Sequence, residues 1–403
     1  MKIGILTYHR AINFGANLQL YSTYNYLENQ GYVPIIINYL PQDLEALYSS
    51  FPQSQITEHI KFIKPLFKTE ECRNAKEVAE QIDNYDINNI IIGSDAVAQH
   101  HPLFSRISFP TKRIFHVDRI SSDRMFPNPF WGTFIDYLRR DINIVAMSTS
   151  SQQSSYKLFD RKMINRMMYY LNQFSYISAR DNWTKDMYKY ISDGNLNVNE
   201  TPDPVFAFNY NVSKIPTEQE IRTNFNLPNK YILVAIRQGR SINSNWVYAF
   251  QNICNRNGYD CIGLPFPYGF TKVNILKNKI QLPLSPIDWY ALIKYADGFV
   301  GHNMHTIVSA LHNSVPCYSF DQYGIRILGQ FVNEKSSKIY HILSKAGFSD
   351  YRVSSGLIID KTPSPQIVFD KLQNFDRNMC RDFASYYYQE YVKMMRDIEQ
   401  TFI

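Results

Sequence analysis

Residues Ile287 to Phe320 read IDWYALIKYADGFVGHNMHTIVSALHNSVPCYSF. Ser285 and Pro286, just before them, supply an N-cap and a first-turn proline, and Asp288 stands three residues after the cap. Trp289, Leu292, Ile293 and Ala296 fall on one face, so the spacing predicts a helix. Gly298 to Gly301 reads as a short buried strand. Asn303 can then cap a second helix with Ile307, Ala310 and Leu311 turned inward, before Pro316 opens the next strand. His305 is thereby expected just past a strand's carboxyl end, on the opening turn of a helix, where open α/β sheets bind ligands.

The same pattern recurs upstream. Lys2 to Thr7 is predicted as a strand, Tyr8 to Gly15 as a polar loop, Leu20, Tyr24 and Leu27 as one face of a helix ending at Gly31, and Val33 to Tyr39 as a second strand. Strand, loop, helix, strand is the signature of a parallel sheet with helices on its faces. NFGAN in the first turn lacks the GxGxxG of a dinucleotide site. Asn89 to Gly93, Ile142 to Met147 and Tyr176 to Ala179 continue the sheet. Pro41 to Asn84 reads as helical or irregular. Arg106 to Arg140, aromatic, basic and proline-containing, reads as an elaborated loop over a cleft or partner surface. After the polar stretch Phe208 to Lys230, the strand Tyr231 to Ile236 restarts the pattern and Cys261 to Leu264 follows. From Pro365 onward, Phe369, Leu372, Phe375, Phe383, Tyr387, Tyr391, Met394, Met395 and Ile398 keep helical spacing. The expected class is α/β: two Rossmann-like doubly wound domains facing a cleft, residues 1–215 on the acceptor side and 216–350 on the donor side. A helical tail, 351–403, is expected to pack across them, although the same amphipathic face could meet a membrane surface or another subunit.

A chain of 403 residues is long enough for two cores. The charge of +6, from 42 basic and 36 acidic side chains without a long run, favours anionic ligands and gives no nucleic-acid footprint. The five cysteines are odd in number and widely spaced, in no CxxC pair, so neither a disulfide frame nor a zinc site is expected. The first strand begins at once and no apolar run approaches a membrane span, so the expected compartment is the cytoplasm, including the inner face of the membrane. The 30 tyrosines and 26 phenylalanines suit sugar-handling surfaces, but a biased composition is the favoured reading.

Several polar side chains fall at strand ends. Arg180, Arg237 and Arg240 can fork onto phosphate or carboxylate oxygens, although Asp181 and Asp203 can instead hold such arginines in structural pairs. Asp95, after Ser94, is an orienting base or a helix cap. His302 and His305 are three apart, but no third ligand is closely spaced, so no metal is expected. The residues describe a cleft for an anionic small substrate and leave the reaction open.

Six ordered stretches over about residues 1–320 resemble the polysaccharide pyruvyl transferase family. They are TYHRAINFGANLQLYSTYNYL with INY at Ile37 to Tyr39, IIGSD at Ile91 to Asp95, Val145 to Ser151, ISARDNWT at Ile177 to Thr184, TPDPVF at Thr201 to Phe206, and MHTIVSALHNSVPCYSF. The resemblance implies two Rossmann-like domains of the GT-B kind. It also implies transfer of a pyruvyl group from phosphoenolpyruvate, a co-substrate rather than a bound cofactor, to paired hydroxyls of a glycan or lipid-linked acceptor. It gives His305 the role of general acid and Arg180 that of holding the donor's anionic groups. Asn13, Asn17, Ser94 and Ser148, polar residues of the matched stretches, and Asn303, just before the last of them, are expected to bind substrate. Better-characterised members carry an arginine where this chain has Asn303, so a phosphoenolpyruvate donor requires that charge from Arg237, Arg240 or a loop arginine such as Arg113 or Arg119. The GSD element, which usually continues Q-x-W-N, here continues AVAQH. A GT-B-like glycosyltransferase using a nucleotide sugar or other anionic donor, and a non-catalytic glycan-binding protein, are the alternative readings.

Overall fold

The computed structural model describes residues 1–111, 114–237, 242–327, 330–354 and 362–403. Among these residues eight strands lie in the first half of the chain: β1 (Lys2–Leu6), β2 (Val33–Ile36), β3 (Asn89–Asp95), β4 (Ile107–Thr111), β5 (Ile114–Val117), β6 (Asn143–Thr149), β7 (Tyr176–Ala179) and β8 (Val198–Glu200). Seven follow: β9 (Tyr231–Ala235), β10 (Asp260–Gly263), β11 (Gly298–Gly301), β12 (Cys317–Asp321), β13 (Ile325–Ile327), β14 (Gln330–Asn333) and β15 (Arg352–Ser354).

The first sheet has the order β2-β1-β3-β6-β7-β8 and the second β10-β9-β11-β12-β15, and the pairs in both are parallel. β4-β5 and β13-β14 are separate antiparallel hairpins. Strand order reverses between β1 and β3 in one sheet and between β9 and β11 in the other. Doubly wound sheets open a ligand crevice at the carboxyl ends of such strands. Every residue of β3, β6, β9, β11 and β12 is buried, as parallel strands covered on both faces require. The second sheet continues past residue 350, because Arg352–Ser354 pairs with β12.

Helices tie the two sheets together. Phe14 and Leu18, from the Phe14–Asn29 helix that follows β1, belong to the apolar core around the second sheet. Phe14 stacks on Trp289 of the Pro286–Lys294 helix with ring centroids 5.2 Å apart. The Gln55 amide donates to the Leu284 carbonyl at 2.7 Å and accepts the Leu284 N–H at 2.8 Å. The Arg377–Glu399 helix is a strap: Cys380, Phe383 and Tyr387 pack in the second core, while Tyr391, Met394, Met395 and Ile398 pack against the first sheet's Ile3, Ile91 and Val145. Each such buried side chain contributes ~1.5–3 kcal/mol. Among the described residues no helix is long and apolar enough to cross a membrane.

The Met304–His312 helix corrects one detail of the sequence reading. Its spacing suggests a single inner face, yet all nine of its residues are buried, because the first domain covers the side that the second leaves open.

Candidate active site

The residues at the two sheet crevices converge on one cavity of about 370 Å³. β1 leads to Tyr8 and Asn13, β3 ends on Asp95, β9 leads to Arg237, and β11 leads to Asn303 and His305, and all six line it. The wall is completed by Tyr48, Gln99, Arg124, Phe266, Tyr268, Tyr323 and Lys338, among others.

Local capping fixes several of these groups. Asn303 caps its helix by accepting the His305 N–H at 2.9 Å. Asn13 caps the Phe14–Asn29 helix by accepting the Gly15 N–H at 3.1 Å. Two helix starts, one from each domain, therefore meet at the cavity, and the positive ends of helices favour anions. His305 is 5% exposed and its Nε2 has no hydrogen-bond partner among the described residues. Burial pulls its imidazole down to about 4, against the raising influence of Asp95 and Asp203.

Asp95 has φ of 86°, a left-handed conformation that non-glycine residues adopt infrequently and that clusters at functional sites. Its Oδ1 accepts the Ala96 N–H at 2.8 Å and Arg180 Nη2–H at 3.1 Å. Burial pushes its carboxyl up, but the Arg180 guanidinium, joined by His305, Lys338 and the Ala96 N–H, more than offsets this, and together they hold it below the ordinary carboxylate value. Arg180 also donates from Nη1 to Asp203 at 2.8 Å, and Asp203 accepts from the Gln19 amide at 2.6 Å. Arg180 is thus enclosed between the carboxylates of Asp95 and Asp203; it is not among the residues lining the cavity, and only its Nε lacks a partner among the described residues.

Ser94 donates to the Ser148 carbonyl at 2.9 Å, and Ser148 donates to the Pro202 carbonyl at 2.7 Å. Asn17 donates to the His9 carbonyl at 3.3 Å and bonds His59 through its carbonyl oxygen. These three are buried behind the cavity rather than on it. Arg119 is exposed and away from the wall. Arg240 and Arg113 lie outside the described residues.

Two cations of the wall were not singled out from the sequence. Arg124 comes from the 106–140 segment, a hairpin followed by short helical turns, so that segment does contribute to the cleft. Lys338 starts the Lys338–Lys345 helix behind its Ser337 cap, with its ammonium 4.7 Å from the Tyr323 ring centroid. Burial first, and the Arg180 charge second, bring that ammonium down to about 8. Arg237 lies 5.0 Å over Phe266 and 5.9 Å from Tyr268. None of the three forms an ion pair with a carboxylate among the described residues. The basic character of the 106–140 segment is the one signal for Arg124; nothing local in the sequence marks Lys338.

A cavity with three unpaired cations, a buried histidine and a strained aspartate suits transfer chemistry on an anionic donor. The family model for polysaccharide pyruvyl transferase matches residues 13–322, which include Asn13, Asp95, Arg180, Arg237 and His305. The chain belongs to the polysaccharide pyruvyl transferase family. It is therefore of a transferase class, and its family acts on glycans. No curated protein matches it in sequence.

Solved structures resemble this pyruvyl transferase family member in fold. UDP-GlcNAc 2-epimerase from Methanocaldococcus jannaschii has a TM-score of 0.51 at 11% identity, covering 96% of this chain and 99% of the other. The S. aureus MnaA-UDP co-structure has a TM-score of 0.51 at 10% identity, covering 98% and 94%. Arabidopsis thaliana UGT89C1 has a TM-score of 0.50 at 9% identity, covering 100% and 99%. At these identities the likeness concerns the fold alone, the two-domain GT-B arrangement.

Proposed function

We propose that the chain transfers a pyruvyl group from phosphoenolpyruvate to paired hydroxyls of a sugar in a cell-surface glycan precursor, forming a ketal and releasing inorganic phosphate. The observation that carries this reading is the set Arg124, Arg237 and Lys338 on the wall beside His305, cations without carboxylate partners among the described residues. Phosphoenolpyruvate brings a phosphate and a carboxylate, and these three side chains supply the charge that Asn303 cannot.

His305 protonates the donor's methylene carbon, leaving an oxocarbenium-like centre on the adjacent carbon. One sugar hydroxyl attacks that centre and gives up its proton. The carbon–oxygen bond to phosphate then breaks, phosphate leaves with the bonding pair, and the second hydroxyl closes the ring as its proton departs. General acid catalysis of this kind contributes about 10²- to 10⁴-fold. In the empty cavity the imidazole is neutral at pH 7, since burial holds it near 4. An arriving dianion favours the imidazolium, so the proton is taken up with the donor. Asp95, held by Arg180, helps to keep that charge, and the cations offset the phosphate's charge as it leaves. The acceptor is met in the cytoplasm or at the inner face of the membrane, free or lipid-linked.

The UDP named with the S. aureus structure defines the competing donor class. Calorimetry separates the two: phosphoenolpyruvate should bind with net proton uptake, seen as a buffer-dependent enthalpy, and UDP should not compete. Binding of UDP without binding of phosphoenolpyruvate would overturn the reading in favour of a nucleotide-linked donor.

A further inference from the structure

A second cavity of about 380 Å³ opens beside the first and shares Gln152, Arg237 and Tyr323 with it. Its own wall includes Gln153, Ser155 and His302. The two cavities differ in chemistry. The first gathers Arg124, Lys338 and Arg237 around His305, whereas the second has Arg237 as its one cation among the described residues, at the shared edge.

Four neutral hydrogen-bonding groups on the second cavity's wall are not engaged. The amides of Gln152 and Gln153 and the hydroxyls of Ser155 and Tyr323 have no side-chain hydrogen bond among the described residues, although Ser155 is 7% exposed and the other three are half-buried. Polar groups in a cleft without protein partners are available to a ligand's hydroxyls. His302 is held in place rather than free: its Nδ1 accepts the Arg237 N–H at 3.1 Å, so its orientation is coupled to the residue both cavities share. Burial brings its imidazole to about 3, so the wall stays uncharged there at neutral pH.

We infer that this second cavity is the acceptor subsite, taking an uncharged hexopyranose whose paired hydroxyls reach the donor across the wall formed by Gln152, Arg237 and Tyr323. Neutral amides and hydroxyls recognise sugar hydroxyls without competing for the donor's anionic groups, and the cations of the first cavity do the reverse. The shared wall is what would bring the reacting carbon and oxygen together. The inference rests on the proposed transfer to a sugar, but its test does not require turnover.

Saturation-transfer NMR on the full chain, with methyl glycosides of glucose, galactose and mannose as probes, tests it directly. At least one glycoside should bind, and saturating phosphoenolpyruvate or inorganic phosphate should not displace it. Gln153→Leu and Ser155→Ala, each checked for an unchanged melting temperature, should weaken that glycoside by roughly ten-fold, the worth of one hydrogen bond. Displacement by phosphate, unaltered binding in both cavity variants, or no binding of any glycoside would overturn the assignment. Calorimetry with phosphoenolpyruvate on the same samples reads the donor separately. Glycoside binding without phosphoenolpyruvate binding would sink the donor proposal and leave the sugar subsite standing.

Discussion

Gly15 and His305 are packed against each other across the two domains: a Cβ on Gly15 would meet His305 Cγ at 1.9 Å and Nδ1 at 2.2 Å. The first turn of one domain's helix thereby sets the position of the other domain's proposed acid. Gly15→Ala should push the imidazole aside. Steady-state kinetics should then give a kcat lower by about 10²-fold, the cost of misplacing a reacting group by around an ångström. Overpacking should cost about 1–3 kcal/mol of stability, read from chemical denaturation.

Lys338→Met and Arg124→Met should each raise the KM for phosphoenolpyruvate by roughly 10- to 100-fold, as expected for one charge-assisted hydrogen bond. A pH dependence follows for the wild type. The Lys338 ammonium is lowered to about 8, so donor affinity should fall as pH rises through that value and the lysine loses its proton. The variant Lys338→Met should lack that alkaline fall, as measured by donor titrations across the range.

Arg180 should prove to be a stability residue before it is a binding one. Its guanidinium holds Asp95 and Asp203, and the side chain is 1% exposed. Arg180→Met leaves two buried carboxylates uncompensated and should cost about 3–5 kcal/mol in urea unfolding. Asp95→Asn leaves the arginine's second partner in place and should cost less.

Glu200 ends β8 and joins three elements. It bonds Lys345, accepts from Tyr387 Oη–H at 3.1 Å, and lies 3.3 Å from His341 Nε2. Burial pushes its carboxyl up, but His341 and Lys345 outweigh this and bring it from 4.5 to about 2. A depressed acid contributes stability that is complete above its unfolded value and lost as pH falls through its folded one. Glu200→Gln should therefore destabilise the chain by about 1–3 kcal/mol at pH 7. The gap between variant and wild type should close as pH falls from 4.5 toward 2.

The parts of the site that depend on local chemistry were legible in the sequence. The asparagine cap at Asn303, the strand run into Asp95, and the position of His305 past β11 all follow from spacing within a few residues. What was not legible is convergence. Arg124 and Lys338 come from short elements far apart in the chain, and only the closure of the two domains brings them to one wall. The pairing of Arg180 with Asp95 joins positions 85 apart, so sequence alone could weigh that arginine between donor and scaffold without deciding. Arg237 was visible at a strand end, but its seat over Phe266 and Tyr268 depends on the loop after β10.

The central claim is tested most directly by phosphate release from phosphoenolpyruvate in the presence of glycan and lipid-linked acceptors, with the ketal followed by NMR. The account expects phosphate and ketal in equal amounts from the wild type, and no ketal from His305→Ala, although that variant still binds a glycoside. Absence of phosphate release with every acceptor, or undiminished turnover in His305→Ala, would contradict it.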